Sequence, residues 1–271
     1  MNKRGQLTTI VIIAVVAVAA SLLAFFLFPS IRDFFVSREK AEQILASQIE
    51  PFRDYIADCI EEASYEFFEK AGMQAGYYEI TGLSSLHFAG KDYIVVVFKD
   101  AANHKINKLP SLGQIEMQYQ LFLEREGNSK IDSCVKKAKF KLEAEPKERK
   151  LRAEIHDDAI IIRVDWPILV RKRSAAGTIE QLIEQKQVML LIPLGYLWKA
   201  ANTIVDCETK KDCKYEAIEW DKHTWNNPFS LRYVNKEARS LNKDQIVFLL
   251  ESIPYRPGEK AYKFNFAIDR S

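Results

Sequence analysis

Two tryptophans flank an acid, a base and a histidine in the stretch EWDKHTW, which holds Trp220, Asp221, Lys222, His223 and Trp225. Indole faces on a loop can stack on sugar rings while neighbouring polar groups fix hydroxyls, so Trp220, His223 and Trp225 form a candidate set for a glycan or other solute. The same residues serve equally well as loop anchors, because burying one large aromatic is worth about 2–3 kcal/mol. Four cysteines form the second chemical set. Cys207 and Cys213 lie close enough, in CETKKDC, to staple a small loop. Cys59 and Cys134 each fall on the apolar side of a predicted helix, in DYIADCIEEA and KIDSCVKKA. An even number of cysteines on an exported chain reads as disulfides, and the preferred pairing is Cys59–Cys134 with Cys207–Cys213, one of three connectivities. Unpaired, Cys59 and Cys134 would be small apolar core residues.

Other chemistry finds little footing. No CxxC spacing occurs and no histidine adjoins a cysteine, so no metal site is expected. His156-Asp157-Asp158 sits between two predicted strands, where Asp-Asp is ordinary turn chemistry. GxSxG, Walker-type, HExxH and GxGxxG motifs are all absent, and neither an enzymatic activity nor a cofactor is expected. With 39 Lys and Arg against 37 Asp and Glu, bulk charge names no partner. The basic residues from Lys136 to Arg152 are interleaved with Glu143, Glu145 and Glu148, which reads as a solvated surface. Arg171-Lys172-Arg173 is a more compact positive spot that could meet acidic headgroups or surface polymers. Neither cluster carries interleaved aromatics, so no nucleic-acid partner is expected.

The element that locates all of this is the first one. No ionisable side chain stands between Arg4 and Arg32. As a helix, Leu7 to Phe28 would span about 33 Å, enough for a hydrocarbon core of about 30 Å. A cleavable secretory signal has an apolar region of about 7–15 residues, and the Ala17-Val18-Ala19 site would leave LLAFFLF exposed. A retained anchor over residues 1–30 is therefore favoured. Lys3 and Arg4 on the short side place the N-terminus in the cytoplasm and the C-terminal body outside the cell membrane.

Lys3-Arg4-Gly5-Gln6 running directly into that apolar helix resembles the class III (prepilin-type) signal of archaeal type IV pilin-like proteins. The resemblance implies cleavage after Gly5 and a mature chain beginning at Gln6. Such signals carry a glutamate at the fifth mature position, where Ile10 stands here.

Beyond the anchor, helical spacing continues from Ile31 to about Gln48 as a stalk, with Ala41, Ile44, Leu45 and Ile49 on one side. Pro51 fits the first turn of a new helix carrying Phe52, Tyr55, Ile56, Cys59, Ile60, Ala63 and Phe67, with Gly72 or Gly76 as its stop. Short strands are expected at Tyr77–Ile80, Leu86–Ala89 and Tyr93–Lys99, the last two joined at Gly90-Lys91. A helix opens at Pro110-Ser111, is interrupted at Gly127-Asn128 and resumes through Ile131, Cys134 and Val135. Strands then follow in KFKLEAE, LRAEI and AIIIRVDW, with turns at Pro146 and Asp157-Asp158 and a bend or sheet edge at Pro167. Thr178–Ile192 is ambiguous and leans to strand at its end. Pro193 opens a helix, and AYKFNFAID alternates with Tyr262, Phe264, Phe266 and Ile268 on one face and Lys263, Asn265 and Asp269 on the other.

Taken together, DYIADCIEEA running into AGMQAGYYEI, PSLGQIEMQYQLFL followed by Cys134, VDWPILV, LGYLWKAANTIV and YKFNFAI resemble a group of uncharacterised membrane-anchored surface proteins of archaea. Those carry QGGY where Gln74-Ala75-Gly76-Tyr77 stands here. The resemblance implies location and architecture, with no assigned activity. The expectation is an α+β chain: anchor 1–30, a helix-rich stalk and membrane-proximal α+β domain over 31–139, and a strand-rich domain with one packed helix over 140–271. The partners expected are the lipid bilayer and a protein, or another copy meeting it through the stalk. The functional class is a structural or interaction protein of the cell surface, with a pilin-like or secretion-apparatus subunit and a glycan- or solute-binding ectodomain as alternatives.

Overall fold

The computed structural model describes residues 13–19, 21, 38–138, 140, 143–174, 177–210, 232–233, 244–252 and 261–271. Of the expected span Leu7–Phe28, residues 13–19 and 21 are helical and exposed, and the remainder lies outside the described residues. Among the described residues, no helix is long and apolar enough to cross a membrane.

The fold is mixed α+β. In chain order its elements are α1 (Arg38–Met73), β1 (Ser85–Phe88), β2 (Lys91–Lys99), β3 (Lys105–Asn107), α2 (Leu112–Phe122), a π-helical turn (Leu123–Gly127), α3 (Asn128–Val135), β4 (Glu143–Pro146), β5 (Lys150–Ile155), β6 (Ile160–Ser174), β7 (Gly177–Leu190), α4 (Leu194–Thr209), β8 (Arg232–Tyr233), β9 (Gln245–Glu251) and β10 (Lys263–Asp269). The chain divides into two compact units that interleave in sequence: residues 1–54, 139–148 and 166–184 form one, and residues 55–138, 149–165 and 185–271 the other.

In the first unit, Ala41, Leu45, Ile49 and Phe52 form a buried stripe at spacings of four, four and three. Phe52 meets Phe140 edge-on at 5.1 Å. Trp166, Ile168 and Val170 alternate on the buried face of β6. The two helices expected on either side of Pro51 are one continuous helix, α1. Pro51 costs that helix a backbone donor, and it sits on the exposed side, where water can satisfy the carbonyl one turn back.

The second unit is built on a sheet in which β2 pairs antiparallel with β1 and β3 and parallel with β10, while β10 pairs antiparallel with β9 and β9 with β8. The β1–β2 turn falls at Ala89-Gly90, both at positive φ (48° and 77°), the type I′ geometry that matches strand twist. Helix α4 lies against β2, β3, β9 and β10, and its Leu197, Ala201, Ile204 and Val205 are buried. Phe248 and Phe266 stack across β9 and β10 at 5.0 Å. A second core joins α1 to α2: Phe67, Phe68, Tyr78, Tyr119 and Phe122 form a cluster with ring centroids 4.9–6.1 Å apart. Inside it Ser64 and Tyr119 share a hydrogen bond of 2.7 Å.

Several expectations change in the structure. Tyr77–Ile80 is irregular rather than a strand, because the Tyr78 N–H donates to the Gln118 side chain at 2.7 Å and not to a neighbouring strand. Gly127-Asn128 does not break the α2–α3 helix. The chain takes a π-helical turn there and stays helical. Pro146 is not a turn: β4 and β5 both pair antiparallel with β6, and residues 147–149 face 166–167, a one-residue bulge. Through Pro167, β6 runs unbroken. Finally, Asn265 is buried although its neighbours in the alternation predicted a solvated face, because the end of α1 covers it through Met73.

Candidate functional site

The α1–α3 pair carries the chemistry that the sequence singled out. Cys59, buried on α1, and Cys134, half-buried on α3, are joined by a disulfide with Cα atoms 5.7 Å apart, as the preferred pairing required. The Tyr55 hydroxyl donates to the Cys134 carbonyl at 2.9 Å, just past the bridge. Toward the other end, the Lys130 ammonium meets Glu66 at 2.6 Å and Glu126 at 3.3 Å. The Glu66 hydrogen bond holds that ammonium above its usual range, against slight burial and with help from Glu126. Position 59 thus meets 134 and position 66 meets 130, so the two helices run antiparallel.

Between these ties lies a half-open groove of about 520 Å³. One wall is α1, with Tyr55, Asp58, Glu62 and Glu66; the other is α3 and the turn after it, with Ser129, Lys130, Ser133 and Lys137. The disulfide and Ala63 lie between them. One wall is acidic and the other basic and hydroxylic.

Arg149 holds the α3 wall in place. Its guanidinium, 9% exposed, donates from Nε to the Asn128 side chain, from NH2 to the Asn128 carbonyl and from NH1 to Asp132, each at 2.9 Å. The sequence pattern had assigned Arg149 to a solvated basic run. Its inward role follows from the bulge at 147–149, which breaks strand alternation, and no local composition signals that.

A second cavity of about 610 Å³ lies beside Tyr65, Glu69, Met73, Glu251 and Lys263. Its Tyr262 hydroxyl is already spent on the Phe68 carbonyl, and its Lys70 ammonium sits 4.0 Å over the Tyr78 ring. The His156-Asp157-Asp158 stretch is the β5–β6 turn, closed by the His156 N–H on the Ala159 carbonyl at 2.9 Å. The Asp157 carbonyl also accepts from the Tyr196 N–H at 3.1 Å, at the start of α4. Among the described residues no group of three or more His, Cys, Asp or Glu is placed to hold a metal ion. Cys207 lies in the last turns of α4, and its expected partner Cys213 lies outside the described residues. So do Trp220, His223, Trp225, Gly5 and Gln6. No family, no curated protein and no solved structure matches the chain.

Proposed function

We propose that this chain is a single-pass surface protein, held in the membrane by residues 1–30 with its N-terminus in the cytoplasm, and that its α+β body serves a structural or interaction role outside the cell. The observation that carries the reading is the Cys59–Cys134 bridge, 75 residues apart in sequence. Such bridges persist in oxidising surroundings and are rare where glutathione keeps thiols reduced. The uncharged run between Arg4 and Arg32 supplies the means of staying at that surface. The partners in this reading are the bilayer and a protein or second copy meeting the stalk helix. Whole cells treated with a membrane-impermeant lysine reagent test it. Labelling of Lys91 and Lys137, both exposed, on intact cells is the expected result; labelling only after lysis overturns it.

The resemblance of Lys3-Arg4-Gly5-Gln6 to a class III signal supports a second reading, a pilin-like or secretion-apparatus subunit processed after Gly5. The intact mass of the protein from its native membrane separates the two. A chain beginning at Gln6 supports processing, and one beginning at Met1 excludes it.

A further inference from the structure

We infer that the α1–α3 groove is a binding site for a compact zwitterion, a molecule carrying an ammonium and a carboxylate a few atoms apart. The walls of the groove form a ladder. Its closed rung is the Glu66–Lys130 pair at 2.6 Å, which shows that acid and base meet directly where the walls come close enough. Further along, Glu62 stands toward Ser133, and Asp58 toward the Lys137 end, by the antiparallel register that the disulfide and the closed rung set. These rungs are open: among the described residues Asp58, Glu62, Ser133 and Lys137 make no side-chain hydrogen bond or ion pair.

Asp58 and Glu62 are one helical turn apart, and like charges at that spacing repel. An ammonium placed between them relieves the repulsion. A carboxylate at the other end of the same molecule then reaches the Lys137 ammonium and the Ser133 hydroxyl. The groove volume of about 520 Å³ is within the range of small-molecule sites. The disulfide fixes the distance between the walls, so the site discriminates by the length of the spacer between the two charges. A ligand with only one charged end leaves one wall unsatisfied and gains little over water.

This inference stands apart from the membrane topology proposed above, because binding is measured on the purified full-length chain in detergent whatever its orientation in the cell. The probes are the unbranched ω-amino acids from glycine to 6-aminohexanoate, with butylamine and butyrate as single-charge controls, followed by NMR shifts of the Ser133 and Lys137 amides. Saturable binding with an optimum at one spacer length, at least tenfold tighter than either control, is expected. Asp58→Asn and Lys137→Gln should each weaken it at least tenfold, and the double variant should lose no more than the weaker single one. Both side chains are exposed and, among the described residues, make no side-chain hydrogen bond or ion pair, so the variants should melt within a degree or two of the parent. Combining Asp58→Lys and Glu62→Lys with Lys137→Asp reverses both walls and should restore binding, with the zwitterion reversed. Equal binding of butylamine reduces the groove to an acidic patch and overturns the inference. So does binding that fails to saturate, or a charge-reversed variant that stays inactive while folded.

Discussion

Asn265 shows how far a single residue can depart from its pattern. It is 3% exposed on β10, its amide nitrogen lies 3.3 Å from the Met73 sulfur, and its carbonyl oxygen has no partner among the described residues. A buried acceptor left unpaired costs about 1–3 kcal/mol, and the amide–sulfur contact returns little of that. Asn265→Val is closer to asparagine in size, suits a strand and removes the orphan, so it should stabilise the chain by about 1 kcal/mol, read as a shift in the urea midpoint at unchanged slope. The disulfide gives a larger effect of opposite sign. Closing a loop of 75 residues removes chain entropy worth about 4 kcal/mol in the unfolded state. Replacing both Cys59 and Cys134 by serine should cost about 2–4 kcal/mol, and adding reductant to the parent, which also opens the bridge at Cys207, should cost at least as much. If reductant leaves the melt unchanged, the bridge is not holding the α1–α3 walls.

At the scale of elements, the π-helical turn decides how α2 passes into α3. Gly127 is needed there by space: a Cβ would lie 2.6 Å from the Phe122 ring, itself held by Phe67, Tyr78 and Tyr119. Gly127→Ala should therefore destabilise by about 2 kcal/mol, although alanine is the better helix former by about 1 kcal/mol. Gly113→Ala, in α2 with nothing within 4 Å of the new Cβ, should stabilise by up to about 1 kcal/mol, so paired melts of the two variants separate propensity from crowding. This contrast also explains what could be read from the chain alone. The buried stripes of α1, the opening of α2 at Ser111 and the β1–β2 hairpin are set by residues close in sequence, and their types show in the spacing. The Gly127 turn, the bulge at 147–149 and the burial of Asn265 are set by residues distant in sequence, and local pattern misassigned each of them. The groove lay between those cases. Its two cysteines were paired correctly from their apolar placement, whereas its open charges looked like the solvated faces of two unrelated helices until the disulfide put them opposite each other.

For the molecule as a whole, the buried phenols set an alkaline limit on stability. Burial pushes the Tyr119 phenol well above its usual 10.0, against the opposing pull of the Ser64 hydrogen bond and the nearby Arg149 charge. Burial also raises Tyr262, and Tyr65 and Glu69 add to that rise. In the unfolded chain both ionise near 10, while in the folded chain both keep their protons. Above that pH the unfolded state therefore binds fewer protons than the folded one, and unfolding is favoured as pH rises. Stability should be insensitive to these phenols below about pH 9 and lose about 1.4 kcal/mol for each by about pH 11, the slope steepening toward about 1.4 kcal/mol per pH unit for each as the unfolded phenols ionise fully. Urea midpoints taken between about pH 8 and about pH 11 give the slope, and phenolate absorbance should develop for these two tyrosines only as the chain unfolds. Tyr119→Phe and Tyr262→Phe should each remove about half of that slope while lysines and exposed tyrosines titrate as before. A folded chain in which all tyrosines ionise gradually around pH 10 would show that neither phenol is shut away in the core of α1, α2 and β10.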